Sequence, residues 1–261
     1  SLGNIILLKI RPYQEKAFRY IAYNEKVQKA IRIDAIEQAC VLLPEDHGVI
    51  FSSGYLLQTG AHKTFDSGLS GLMFDHKVAS PNGEDVLYVF YHPETGQHVL
   101  LSYNLIEQRV DTPIVCHGYA LFESGKLLFF KAVNDPQKHH AIQIWQTPYL
   151  GANFAVPAAD AAKGESLLFK VGNRDVVRAM AECHEIIALA AKDDSYSNLY
   201  VDIVKLAGDV IDTYHWLNQD EASNLAGPLA EIRSAAAAAV DEFDKVVRVR
   251  RTTQQRFDKT S

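Results

Sequence analysis

Arg248, Arg250, Arg251 and Arg256 crowd one end of this 261-residue chain, where residues 245–261 carry six Lys/Arg against one Asp/Glu. Guanidinium groups at this density can neutralise phosphates, so these four are the candidate nucleic-acid contacts. They can equally pair with acids on a neighbouring helix or stay solvated. Two His-Gly pairs come next, His47-Gly48 and His117-Gly118. Histidine exchanges protons near neutrality, so a recurring His invites general acid-base chemistry. The sequence offers no nucleophile to go with either ring, and equivalent positions in a repeat do equivalent structural work. We therefore expect each ring to bond a backbone carbonyl and each Gly to permit a turn. Cys116 and His117 are neighbours that point to opposite faces of a strand, and no other residues have metal-ligand spacing. His139-His140 belongs to a polar loop that begins Asn134-Asp135-Pro136.

The remaining candidates have plain structural explanations. Glu45-Asp46, Glu84-Asp85 and Asp193-Asp194 each lie beside a turn or a helix end, where acids serve local hydrogen bonds. Tyr20, Tyr23, Tyr88, Phe90 and Tyr91 have faces that could stack on bases, but such residues fill a sheet core more readily. Ala162-Lys163-Gly164-Glu165-Ser166 lacks the first glycine and the Gly-Lys-Ser/Thr order of a phosphate-binding loop. Gly68-Leu69-Ser70-Gly71 is not a nucleophile elbow. The residues thus assign no catalytic, cofactor-binding or metal-binding side chain.

The histidines are positioned by a repeat. His47-Gly48-Val49-Ile50-Phe51-Ser52-Ser53-Gly54 returns about seventy residues later as His117-Gly118-Tyr119-Ala120-Leu121-Phe122-Glu123-Ser124-Gly125. Tyr20-Ile21-Ala22-Tyr23 returns as Tyr88-Val89-Phe90-Tyr91, and Ala35-Ile36 as Leu105-Ile106. A repeat points to architecture and assembly before chemistry. Short runs rich in Val, Ile, Leu, Tyr and Phe predict strands at 5–10, 18–23, 30–34, 48–51 and 55–58. The second copy predicts them at 74–78, 86–91, 98–103, 119–122 and 126–132. Hairpin turns are expected at Ser53-Gly54, at Ser124-Gly125 and at Pro93-Glu94-Thr95-Gly96.

After Pro148 the periodicity becomes helical. Asn173 is a plausible N-cap, with Val176, Val177, Met180, Ile186, Ile187 and Leu189 as the apolar face of one helix. A second helix is expected at 197–218, burying Leu199, Ile203, Leu206, Val210, Ile211 and Trp216. Gly227-Pro228 opens the last helix. There Leu229, Ile232, Ala236, Ala239, Phe243 and Val246 keep heptad spacing. The expected fold class is α+β and multi-domain. An all-β repeat domain over 1–150, propeller-like or a sandwich, is followed by a linker over 151–172. An antiparallel helical domain over 173–261 ends in a long helix and continues in a parent chain.

Bulk properties narrow the function classes. The chain is 48% hydrophobic, enough to bury a full core, and its net charge of −6 disfavours generic nucleic-acid binding. The charge is uneven: residues 160–244 hold seven Lys/Arg against sixteen Asp/Glu. Three cysteines without CxxC spacing, no long apolar run and no leader-like start predict a cytoplasmic protein without a membrane partner.

Several strings resemble large bacterial proteins known as DNA-repair ATPases. They are residues 8–20, beginning Leu8-Lys9-Ile10-Arg11-Pro12-Tyr13, then Leu43-Pro44-Glu45-Asp46-His47-Gly48 and residues 80–91, beginning Ser80-Pro81-Asn82-Gly83. Ile144-Trp145-Gln146-Thr147-Pro148 and Leu229-Ala230-Glu231-Ile232-Arg233 complete the set. The resemblance implies a parent protein with an AAA-type P-loop domain elsewhere, using ATP and Mg. This chain is then an N-terminal or internal piece, non-catalytic, with a regulatory, docking or assembly role. Its partners are the rest of the parent polypeptide or another protein. The alternative is a nucleic-acid-binding module acting on DNA through the four arginines.

Overall fold

A computed structural model describes residues 3–25, 27–37, 39–65, 71–132, 138–149, 167–192 and 198–260, the backbone alone for Phe169 and 254–260. The chain divides into two compact units, 1–158 and 159–261. Residues 68–70 of the Gly-Leu-Ser-Gly string, 134–137 of the polar loop, the phosphate-loop-like string, Asp193-Asp194 and 151–166 of the expected linker lie outside the described residues. The last residues of that linker, Leu167–Val171, form a short helix, α1.

Among the described residues, the first unit holds four antiparallel sheets. β1 (Ile5–Ile10), β2 (Arg19–Asn24) and β3 (Lys29–Arg32) make the first sheet, in that order. β4 (Cys40–Leu42), β5 (Gly48–Phe51), β6 (Gly54–Leu57) and β7 (His62–Thr64) make the second. In the third, β8 (Met73–Ala79), β9 (Asp85–Tyr91) and β10 (His98–Asn104) lie side by side, and both β11 (Arg109–Val110) and β12 (Ile114–Cys116) pair with β10. β13 (Gly118–Leu121), β14 (Lys126–Phe130) and β15 (Ile142–Gln146) form the fourth. β1 and β5 coincide with their predicted spans. β4, β7, β11, β12 and β15 were not expected. Phe51 pairs with Gly54, so the β5–β6 turn is Ser52-Ser53 and Gly54 already belongs to a strand.

The sheets pack face to face in series. Ile5, Ala22, Ile33 and Ile36 share a core with Val49, Phe51 and Leu56, joining the first sheet to the second. Leu87, Val89, Leu100 and Cys116 share another with Leu127 and Phe129, joining the third to the fourth. Side chains alternate across a strand. Val86, Tyr88, Phe90, Val99, Leu101 and Tyr103 therefore occupy the opposite face of the third sheet, and all six are buried. From that face Tyr88 Oη donates to the Leu42 carbonyl at 3.3 Å, and the Tyr103 hydroxyl meets His47 Nδ1 at 2.7 Å, so it abuts the second sheet. Double burial explains why β9 and β10 read as nearly continuous apolar runs.

A polar tie accompanies each of these interfaces, buried at the first two and half-buried at the third. Asn24 Nδ2 donates to the carbonyls of Leu57 at 3.3 Å and Gln58 at 2.9 Å, across the first interface. The Tyr103 and His47 pair crosses the second, and a Ser102–Tyr149 hydroxyl pair the third. A satisfied buried bond of this kind contributes about 1 kcal/mol, and leaving one partner unsatisfied costs more.

The two copies of the repeated strings fall on elements of the same kind. β2 and β9 are the middle strands of three-stranded meanders, and β5–β6–β7 corresponds to β13–β14–β15. Matching Tyr20–Tyr23 to Tyr88–Tyr91 nevertheless sets residues on unlike faces in register. Ala22 faces the next sheet, as Val89 does, whereas Phe90 faces the preceding one. The strands correspond one residue earlier than the strings do.

The second unit is helical. Its long helices are α2 (Asn173–Ala190), α3 (Leu199–Thr213) and α4 (Ala226–Thr260), and two 3₁₀ turns, His215–Asn218 and Asp220–Ala222, lie between α3 and α4. Ala179, Ile186 and Leu189 of α2 pack with Ile203, Ala207 and Val210 of α3 and with Leu229 and Ala236 of α4. Met180 and Ile187, expected on the buried face of α2, are exposed. Two alanines, Ala179 and Ala181, take that face instead. Gly227 and Pro228 stand in the first turn of α4, where a missing N–H costs nothing. The apolar seam of α4 is covered only near its start: Leu229 and Ala236 are buried, while Ile232, Phe243 and Val246 are exposed. No helix among the described residues is long and apolar enough to cross a membrane.

Candidate functional site

Every side chain from Asp241 to Thr253 on α4 is exposed. Arg248 and Arg251, three residues apart, share one side of the helix. Arg250 turns to the other, on the face that also carries Glu242, Lys245, Val246, Val249 and Thr253. Arg248, Arg250 and Arg251 make no ion pair among the described residues. The helix thus brings Arg248 and Arg251 together and separates Arg250 from them. Arg256 continues the same helix, and its side chain lies outside those described. Two neighbouring guanidiniums can contact one phosphate backbone, but four do not form a single stripe.

The two His-Gly pairs occupy corresponding strand starts and do different work. His47 is buried, and its Nδ1 meets the Tyr103 hydroxyl. His117 Nδ1 accepts the Ala132 backbone N–H at 3.0 Å, which leaves its proton on Nε2. The His117 contact is with a backbone N–H and not with the backbone carbonyl expected from sequence. The glycines follow from close approach: a Cβ on Gly48 would stand 2.2 Å from the Leu56 carbonyl oxygen, and one on Gly118 2.4 Å from the Phe130 ring.

A cluster that the sequence spacing did not reveal lies where β8, β10 and β13 come together. His98 packs its ring on Tyr91, at 4.8 Å between centroids, and edge-on to Tyr119 at 5.3 Å. The Tyr119 hydroxyl lies 3.4 Å from His76 Nε2, and His76 Nδ1 lies 3.1 Å from Asp75. Burial lowers the His98 imidazole below its ordinary value and pushes the Tyr119 phenol up to about 12. His98 Nδ1 is buried with no hydrogen-bond partner among the described residues. Only strand register could have found this cluster, because His98 sits opposite both Tyr91 and Cys116. No group of three or more His, Cys, Asp or Glu residues among those described is placed to hold a metal ion.

The thiols offer no ready nucleophile. Cys40, Cys116 and Cys183 are all free, and burial raises each of them, Cys40 and Cys116 to about 11. A thiol held that high carries little thiolate near neutrality. On the second unit, Glu182 accepts from the Tyr214 hydroxyl at 2.9 Å, and burial raises its carboxyl. This bond links α2 to the end of α3.

Residues 1–215 match a protein family described as "ATPase involved in DNA repair". The chain belongs to this family. The matched residues take in all four sheets, α1, α2 and α3. α4 and its arginines lie beyond the match, as does the Leu229–Arg233 string that resembles the same proteins. No match was found among curated proteins or among solved structures.

Proposed function

We propose that this chain is a non-catalytic regulatory, docking or assembly region of a larger DNA-repair ATPase. One observation carries the reading: a member of an ATPase family has no Gly-x-x-x-x-Gly-Lys-Ser/Thr string anywhere in its 261 residues. The nucleotide, with its Mg, then belongs to another part of the parent polypeptide. The stacked sheets support the reading as propeller-type blades that present surfaces, and the long exposed part of α4 as a connection toward the rest of the parent. The role is placed in the cytoplasm, in contact with the parent or a protein partner.

The test is deletion of residues 1–150 from the parent protein. ATP turnover, partner binding or assembly should change, while the isolated chain should neither bind nor hydrolyse ATP with Mg. A parent that loses none of the three on deletion, or an isolated chain that turns ATP over, would overturn the proposal.

The exposure of Arg248, Arg250 and Arg251 favours a second reading, a nucleic-acid contact through these residues and Arg256. Fluorescence anisotropy with single-stranded and duplex DNA should then show binding that weakens steeply with salt. Replacing all four arginines by alanine should abolish it. Absence of binding at low salt rules this reading out.

A further inference from the structure

The outermost sheets of the series each leave an apolar face open. On the fourth sheet, Leu128, Phe130, Ile142 and Ile144 share the face turned away from the third, with Ile142 60% and Ile144 61% exposed. On the first, Ile6, Leu8, Ile10 and Ile21 share the face turned away from the second, with Leu8 43% and Ile10 40% exposed. These exposures show that the two faces do not cover one another within a chain.

The chain already contains a contact of the kind these faces could make. By the repeat, the fourth sheet corresponds to the second: Ala120 takes the place of Ile50, and Leu128 that of Leu57. The first sheet corresponds to the third, with Ile21 and Tyr23 in the places of Tyr88 and Phe90. The second and third sheets meet through the faces that bear Ile50, Leu57, Tyr88 and Phe90, all but completely buried. A fourth-sheet face is thus the counterpart of one side of an interface, and a first-sheet face the counterpart of the other. Pairing a fourth sheet with another fourth sheet has no precedent in the fold.

We infer that two copies of this chain associate head to tail, the outer face of the fourth sheet of each seated on the outer face of the first sheet of the other. Closed propellers contain about four to eight blades, and two copies supply eight sheets while three would exceed that range. The contact is heterologous, and a two-fold rotation closes it into a ring of two copies, with the fourth sheet of each on the first sheet of the other. It gives the assembly part of the proposed function a specific surface but stands on the sheet faces alone. A monomeric chain would overturn it and leave the docking role intact.

Light scattering during size-exclusion chromatography of the full chain, over a concentration series, provides the test. Wild-type protein should reach twice the 29.1 kDa chain mass. Ile142→Asp/Ile144→Asp, on the fourth sheet, and Leu8→Asp/Ile10→Asp, on the first, should each be monomeric. An equimolar mixture of the two should recover a dimer through the one intact pair of faces. Circular dichroism checks folding, and Ile144→Gln and Leu8→Gln replace any pair that unfolds the chain. A wild-type chain monomeric up to its solubility limit overturns the inference. So does a dimer that survives either variant, or a mixture that fails to recover one.

Discussion

Gly48 and Gly118 follow histidines at matching strand starts, yet different neighbours hold them to glycine. At Gly48, φ is 144°, and the obstacle to a Cβ is the Leu56 carbonyl, fixed in the β5–β6 ladder. At Gly118 the obstacle is the edge of the Phe130 ring, which can rotate away. Gly48→Ala should therefore cost about 3 kcal/mol in urea denaturation, and Gly118→Ala only about 1 kcal/mol. Equal losses would mean that the second strand is as tightly held as the first. The repeated His-Gly string was legible, but the partners of each ring were not. The residues that meet His47 and His117, Tyr103 and the Ala132 N–H, are brought there by sheet stacking and by strand pairing respectively.

At the level of elements, hydrophobic periodicity located the longer strands and the starts of α2 and α4, where a Gly, Pro or Asn signal adjoined a strong pattern. It failed for His62–Thr64 and Arg109–Val110, which are short and polar and become strands only because a neighbour offers a ladder. On α2 it favoured the large residues Met180 and Ile187, yet close packing selected the alanines. On α4 the heptad pattern runs further than the cover. Leu229→Ala, which opens a hole between α3 and α4, should destabilise the helical unit by about 2–4 kcal/mol. Phe243→Ala, with the same spacing but an exposed ring, should stay within about 0.5 kcal/mol. Thermal melts of the two variants compare them directly. A large loss at Phe243 would place a partner on that part of the helix.

On the scale of the molecule, the sequence distinguished a β-rich half from a helical one but not how the sheets follow one another. That order depends on which face of each strand meets which neighbour, and a single-residue shift between β2 and β9 is enough to exchange the faces. Among the described residues, the second and third sheets are covered on both faces, and the first and fourth on one. Opening a terminal sheet breaks one interface, whereas opening a middle sheet breaks two. In the monomer, amide hydrogens of β9 and β10 should therefore exchange with deuterium more slowly than those of β1 and β15, and mass spectrometry of proteolytic fragments would resolve the order. Uniform protection across all four sheets would show that they open as one. A stack of this kind unravels from its ends inward, and its oldest memory of the folded state is kept in the middle.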